Sequence, residues 1–275
     1  WASVGYSFDR MSSLERRTGA LLAEWIRKDK RKPLVIRGAR QVGKSTLVRE
    51  FARRQGLRLA EINLERHGLL DPLFRGLDLA AIRAEIEAIA EVPLAGPETL
   101  LFLDEIQATP SALPVLRYLY EEMPRLPVVA AGSLLEFVLE RHEFSMPVGR
   151  IEYLHLGPMG FEDFLRAQGE AHLLGLIEGW EPGVVFADAA HRRLLEWQRQ
   201  YLLVGGMPEA VAEYATKRDI AAVKDVHRSI ADTYRDDFAK YPAAGGALLR
   251  LQRVFDYVPG AVGQKIKYVN ISRDE

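Results

Sequence analysis

The strongest constraint on this chain is a loop bracketed by glycines that joins an apolar run to a helical pattern. The run Leu34–Arg37 predicts a strand, and residues 44–54 predict a helix. Between them, residues 38–45 fit the pattern G-x-x-x-x-G-K-[ST]. Glycine backbones adopt conformations closed to other residues, so successive N–H groups can face one phosphate, and the helix that follows adds its positive end. The sequence therefore predicts a loop that binds phosphate groups.

Nine loop residues are candidate contacts for the phosphates of a nucleotide: Gly38, Ala39, Arg40, Gln41, Val42, Gly43, Lys44, Ser45 and Thr46. In such a loop the lysine reaches the β- and γ-phosphates as a positive charge, and the hydroxyl of Ser45 takes one position around Mg²⁺. For Arg40 and Gln41 the pattern specifies no residue type, so an exposed loop position is the alternative reading. For the loop as a whole the alternative is a glycine turn that only joins strand to helix.

A second apolar run, residues 100–103, ends in two acids, Asp104 and Glu105. A buried strand would deliver Asp104 at its carboxyl end, where an aspartate can hold Mg²⁺ through water. Glu105 would then polarise a water molecule for attack on the γ-phosphate. The alternative is a strand that ends in two solvated acids. With the loop about sixty residues upstream, the sequence predicts Mg²⁺-dependent binding and hydrolysis of a nucleoside triphosphate.

Two further polar residues are candidates for catalysis. Ser133 follows the run VVAAG, residues 128–132, and it is either a sensor of the γ-phosphate and attacking water or the N-cap of the next helix. Arg150 precedes the last predicted strand, and it is either an arginine finger or a surface arginine. As a finger it would act on its own site or on that of a neighbouring copy. The six histidines show no metal-binding spacing.

The order of predicted elements indicates an α/β protein with a mostly parallel sheet covered by helices on both faces. Strands are expected near 34–37, 58–64, 99–105, 126–133 and 149–156, and helices near 12–31, 44–54, 77–90, 109–123 and 134–140. After Pro158 the periodicity is helical, with helices near 161–168, 191–204, 209–216, 220–240 and 247–257. We therefore predict a P-loop domain over 12–160 and a mainly helical domain over 161–275.

Charge and composition exclude several classes of function and of partner. The formal net charge of −1 gives no global attraction to nucleic acid or anionic lipid. The chain contains no cysteine, which excludes disulfides and thiolate chemistry and suits a cytoplasmic protein. No apolar run approaches the roughly 20 residues that span a bilayer, so no membrane partner is expected.

Five segments resemble a prokaryotic family of AAA-type P-loop ATPases that carry a C-terminal domain of unknown function. They are GARQVGKST, LLFLDEIQ, AAGSLLEF, GRIEYLHLGPMGFEDFL and YLLVGGMPEAV. The resemblance implies a P-loop NTPase sheet of order 5-1-4-3-2, followed by a helical segment leading into an incomplete winged-helix region. It implies ATP and Mg²⁺ as ligands and matches the roles given above to Lys44, Ser45, Asp104, Glu105 and Ser133. It leaves the role of Arg150 open and gives no chemical account of GGMPEAV.

Three functions follow as hypotheses. The first is an ATPase that hydrolyses ATP with Mg²⁺. The second is a nucleotide-dependent regulatory switch, read by a protein partner or by a second copy of the chain. The third is an ATP-driven protein that binds DNA through its C-terminal region, where basic residues such as Lys265 and Lys267 occur.

Overall fold

The computed structural model describes residues 16–133, 149–238, 247–267 and 271. Within them the strands are β1 (Leu34–Arg37), β2 (Arg58–Asn63), β3 (Thr99–Asp104), β4 (Val128–Gly132) and β5 (Glu152–His155). The helices up to β5 are α1 (Thr18–Ile26), α2 (Lys44–Gln55), α3 (Asp71–Gly76), α4 (Leu79–Ala90) and α5 (Ala112–Glu122). Those after it are α6 (Phe161–Ala167), α7 (Ala171–Glu178), α8 (Asp188–Val204), α9 (Pro208–Lys217), α10 (Ile220–Phe238) and α11 (Ala247–Tyr257).

The strands form one parallel sheet in the order β2-β3-β4-β1-β5, which confirms the predicted order 5-1-4-3-2. Strand β1 lies between β4 and β5, with Leu34 opposite Val129 and Glu152. Strand β3 lies between β2 and β4, so that Asp104 is opposite Asn63. Because all strands run in one direction, the loops that follow β1, β3 and β4 meet at the same edge of the sheet.

The sheet is buried on both faces, which explains why its strands read as unbroken apolar runs. On one face Val35 and Leu103 pack in a cluster with helices α3, α4 and α5. On the other face Ile36 and Phe102 pack against α1 and α2. Burying one such side chain contributes roughly 1.5–3 kcal/mol, so the two clusters hold the ends of β1 and β3 in fixed positions.

Local chemistry accounts for the elements that the sequence analysis placed wrongly. A helix was predicted from residue 77, but Leu77 has φ +54° and ends α3, and the Asp78 carboxylate caps α4 by accepting from two backbone N–H groups. Helix α7 was missed because Gly175 lies inside it. The start of the first predicted helix and the predicted helix 134–140 lie outside the described residues.

The segment between α8 and α9 contains a close approach of two backbones. Gly205 has φ +70° and ψ −169°, a conformation that is essentially restricted to glycine. The Met159 N–H donates to the Gly206 carbonyl at 2.7 Å, and the Tyr201 hydroxyl donates to the Met159 carbonyl at 2.8 Å. Pro208 then begins α9, where its missing N–H costs nothing. Residues 205–208, GGMP, therefore hold the start of α9 against the loop that follows β5.

A methyl group at position 206 should destabilise this junction. A Cβ built on Gly206 lies 2.2 Å from the Met159 carbonyl oxygen and 3.0 Å from the Pro158 Cβ, so a backbone must move. We expect Gly206→Ala to lower the free energy of unfolding by about 3 kcal/mol in urea denaturation. The control is Gly175→Ala, in open space on a helix, which should be neutral or stabilising by up to about 1 kcal/mol. Equal stability of the two variants would contradict the expected clash.

The chain divides into two compact units, one reaching to Arg218 and one beginning at Asp219. In the second unit, the Phe255 ring of α11 packs against Phe238 and Tyr234 of α10, with ring centroids 5.3 and 6.3 Å apart. Helices α6 to α9 belong to the first unit, so the predicted domain boundary at 160/161 and the winged-helix region stay predictions. None of the helices in the described ranges is both long and apolar enough to cross a bilayer.

Candidate nucleotide site

The loop between β1 and α2, here called the glycine loop (residues 38–45), has a backbone that requires glycine at positions 38 and 43. Gly38 has φ +151°, and a Cβ there would lie 2.1 Å from the Leu156 carbonyl oxygen, just after β5. Gly43 has φ +86° and directly precedes α2. Gln41, at φ +62°, is the third residue of the loop with positive φ. These conformations turn the chain sharply into the first turn of α2, whose N–H groups carry partial positive charge.

Lys44 lies across the glycine loop. Its side chain is largely buried, with 7% of the residue exposed, and its Nζ donates to the carbonyls of Gly38 (3.1 Å) and Ala39 (2.8 Å). Burial lowers the pKa of Lys44, an effect that Glu105 and Asp104 oppose and Arg40 reinforces. A buried ammonium at a helix N-terminus is a strong attractor for an anion.

Asp104 and Ser45 come together at the edge of the sheet. The Ser45 hydroxyl donates to Asp104 Oδ2 at 2.7 Å, and the Glu105 N–H donates to Oδ1 at 3.0 Å. Asp104 is only 4% exposed, and burial raises its pKa, as do the charges of Glu105 and Glu61, against the lowering effect of the two hydrogen bonds. A carboxylate and a hydroxyl are ligands of the type that Mg²⁺ prefers, and the ion usually keeps several waters. The donor set therefore fits Mg²⁺, although the described ranges contain no group of three or more His, Asp or Glu side chains placed to hold a metal ion by themselves.

Glu105 is the residue at which the chain leaves β3. Its φ of +52° is unusual for glutamate, and it turns the chain into a 3₁₀ turn, Ile106–Ala108. The Gln107 amide in that turn donates from Nε2 to Glu105 Oε2. One carboxylate oxygen is thus held in place beside Asp104. Gln107 was not among the predicted site residues, and its only signal in the sequence is its position two residues after Glu105.

Ser133 follows β4, which lies between β3 and β1 as its proposed role requires. The residue is 1% exposed, and its hydroxyl has no hydrogen-bond partner within the described part of the chain. The alternative role, an N-cap, depends on the predicted helix 134–140, which lies outside the described residues. Both readings therefore stay open.

The remaining loop residues separate by environment. The Val42 side chain is fully buried in the cluster beneath the glycine loop, so only its backbone could contact a phosphate. Ala39 and Gln41 are exposed, as the alternative reading of Gln41 expected, while Arg40 and Thr46 are half-buried. Arg40 lies close enough to Lys44 for its charge to lower the lysine pKa.

The structure does not bring Arg150 into its own site. Arg150 precedes β5, whose Glu152 pairs with Leu34 at the start of β1, whereas the glycine loop follows the end of β1. Arg150 and the glycine loop therefore lie near opposite ends of β1, which are roughly 13 Å apart in a four-residue strand. The Arg150 Nε donates to Glu121 at 3.0 Å, and the side chain is 47% exposed. In this arrangement Arg150 lies away from its own glycine loop, and its role as a finger, on its own site or on that of a neighbouring copy, stays a prediction.

A cavity of about 490 Å³ opens beside the glycine loop, between α1, α2 and the start of α9. Gly43 and Thr46 line it at the loop, and Arg16 and Pro208 line it on the other side. Arg16 was not among the predicted site residues, because it fell within the predicted helix 12–31, where a charged residue usually lies on the solvent face. Its burial depends on Gly157, 141 residues away in the chain.

The sheet order and the loop between β1 and α2 together define a P-loop NTPase fold. Residues 30–165 match the family model of an AAA domain, and residues 195–275 match a domain of unknown function, DUF8612. The chain therefore belongs to the AAA-type P-loop ATPases that carry a C-terminal domain of unknown function.

Solved structures with a similar fold include the Walker-type ATPase PABY2304 of Pyrococcus abyssi, at 17% identity and a TM-score of 0.50. The match covers 94% of this chain and 89% of that one. A structure of C. elegans PCH-2 matches at 11% identity and a TM-score of 0.44, covering 79% and 71%. Drosophila ORC bound to DNA matches at 18% identity and a TM-score of 0.42, covering 82% and 67%. No significantly similar sequence was found among curated proteins.

Proposed function

We propose that the chain binds ATP with Mg²⁺ and hydrolyses it to ADP and phosphate. The observation that carries the proposal is the convergence of Lys44, the Ser45–Asp104 pair and Glu105 at the carboxyl edge of one parallel sheet. Each group is fixed by the fold before any ligand arrives, which is how phosphoryl transfer is catalysed, by positioning and by charge stabilisation.

Each residue has a distinct task in this proposal. The glycine loop and the first turn of α2 present N–H groups to the phosphates, and Lys44 exchanges its two carbonyl partners for phosphate oxygens. Ser45 and Asp104 would hold Mg²⁺, which when bound neutralises charge on the phosphates. Glu105 accepts a hydrogen bond from the attacking water and orients it towards the γ-phosphate. Ser133, whose buried hydroxyl needs a partner, donates to that water or to a γ-phosphate oxygen.

The proposal is tested by measuring phosphate release from ATP with Mg²⁺, with Mg²⁺ replaced by EDTA, and with GTP in place of ATP. We expect release that requires Mg²⁺ and falls to background in EDTA. Release that continues unchanged in EDTA would contradict a metal held by Ser45 and Asp104. The comparison of ATP with GTP also decides which base the site accepts.

A nucleotide-dependent switch is the second candidate, and one contact favours it. Pro208 Cγ lies 3.6 Å from the position of a Cβ on Gly43, so the start of α9 rests against the glycine loop. A ligand that moves the loop would therefore move α9, and a protein partner, a second copy or DNA could read that movement. In the same assay, turnover well above about 1 s⁻¹ without any partner would count against a switch.

A further inference from the structure

Arg16, just before α1, is an arginine held inside the protein. The residue is 8% exposed, although arginine is rarely buried. Its Nη1 donates to the Gly157 carbonyl at 3.1 Å. Its Nη2 is buried and has no hydrogen-bond partner within residues 16–133, 149–238, 247–267 and 271. A buried donor without a partner is unfavourable, so an acceptor supplied by a ligand would stabilise this group.

The unpartnered nitrogen lies beside the glycine loop. A Cβ on Gly43 would be 3.8 Å from Arg16 Nη2, and Arg16 lines the 490 Å³ cavity that opens next to that glycine. Thr46, in the first turn of α2, lines the same cavity. A group attached to phosphates held by the glycine loop can therefore enter the cavity without leaving the loop.

The walls of the cavity suit a nucleoside. Ala20 and Ala23 line it from α1, and Leu47 and Phe51 line it from α2. Charged and polar side chains complete the lining, namely Arg17, Glu50, Arg54, Gln55, Arg166 and Glu178. Apolar surface combined with polar groups is typical of sites that bind small ligands, and 490 Å³ lies in the usual range for them. A purine has flat apolar faces and nitrogen acceptors at its edge, and ribose adds oxygen acceptors.

We propose that Arg16 is a nucleotide-contacting residue whose Nη2 donates a hydrogen bond to the base or ribose of the bound nucleotide in this cavity. The proposal rests on the proposed function, because the nucleotide must first be held by the glycine loop. It assigns Arg16 to the nucleoside and leaves the phosphates to Lys44. Through Nη1 the same guanidinium contacts Gly157, so it also joins the ligand to the loop that follows β5.

An exposed arginine on the other face of the sheet provides a matched control. The Arg75 side chain, on α3, is 65% exposed and pairs with Asp71 at 2.7 Å, and Arg75 does not line the cavity. Lysine at position 16 or position 75 keeps the charge and removes the planar guanidinium fork.

The test measures dissociation constants for Mg·ATP and for Mg²⁺ with inorganic tripolyphosphate, by calorimetry, on the unaltered chain, Arg16→Lys and Arg75→Lys. We expect Arg16→Lys to weaken Mg·ATP about tenfold or more, the value of one hydrogen bond from a charged donor, and tripolyphosphate by less than twofold. Arg75→Lys should change neither. If lysine at position 16 unfolds the chain, Arg16→Gln replaces it as the test variant, and we expect the same loss of affinity for ATP.

Three results are decisive. Selective loss of ATP affinity supports the proposal. Equal loss for ATP and tripolyphosphate would overturn it, because Arg16 would then contact the phosphates. No loss for either ligand would overturn it as well. Failure of the proposed function has a different signature, since the unaltered chain would then bind neither ATP nor tripolyphosphate.

Discussion

Replacing Glu105 with glutamine should abolish most turnover and leave nucleotide binding intact. Glutamine has the shape of glutamate and still offers an oxygen to the Gln107 amide, so the turn after β3 should keep its structure. It cannot accept the proton that the attacking water gives up. Because general-base catalysis contributes typically 10²- to 10⁴-fold, we expect phosphate release to fall by at least about 100-fold, with the Kd for Mg·ATP within about twofold.

The control for this variant is Glu98→Gln, which removes an exposed carboxylate paired with Arg58 outside the site. It should hydrolyse ATP at the rate of the unaltered chain. Steady-state phosphate release and binding of a fluorescent ATP analogue are measured on all three proteins. A Glu105→Gln variant that turns over as fast as its parent would show that another group orients the water.

Replacing Lys44 with alanine should remove nucleotide binding while the fold survives. Burial lowers the pKa of Lys44, which means that the folded state disfavours its charge, so deleting the ammonium relieves a cost as well as losing two hydrogen bonds. The same ammonium is the charged donor closest to the phosphates in the proposed complex. We expect the Kd for Mg·ATP to rise by at least about 100-fold, equivalent to ~2.8 kcal/mol.

Thermal unfolding gives a first measurement of this loss. A ligand at 100 times its Kd stabilises the fold by about 2.7 kcal/mol, so Mg·ATP should raise the melting temperature of the unaltered chain by several degrees. Lys44→Ala should melt near the temperature of the nucleotide-free parent and should not respond. Lys30→Ala, which removes an exposed lysine before β1, should respond like the parent.

The elements that were predicted correctly are those whose sequence signal lies entirely in residues that are adjacent in the chain. The runs that become β1 and β3 are apolar because both faces of the sheet are covered, and the glycine pattern marks its own loop. Arg150 shows the opposite case, since a residue before a strand of a parallel sheet lies at the edge away from the loop. The predicted sheet already implied that placement.

The parts that sequence reasoning could not predict depend on contacts between distant segments. Gln107 needed the positive φ of Glu105, which turns the chain back towards the carboxylate. Arg16 needed the carbonyl of Gly157, and Gly206 needed the passing backbone of Met159. Nothing in the immediate neighbourhood of these residues in the chain marks them as buried or as sterically restricted.

The most direct test is calorimetric titration of the unaltered chain and of folded Lys44→Ala with Mg·ATP, at two temperatures so that a binding enthalpy near zero is not overlooked. We predict saturable binding of one nucleotide per chain to the parent and no measurable binding to the variant. Equal affinity of the two proteins, or no binding by the parent at either temperature, would contradict a nucleotide site built on the glycine loop.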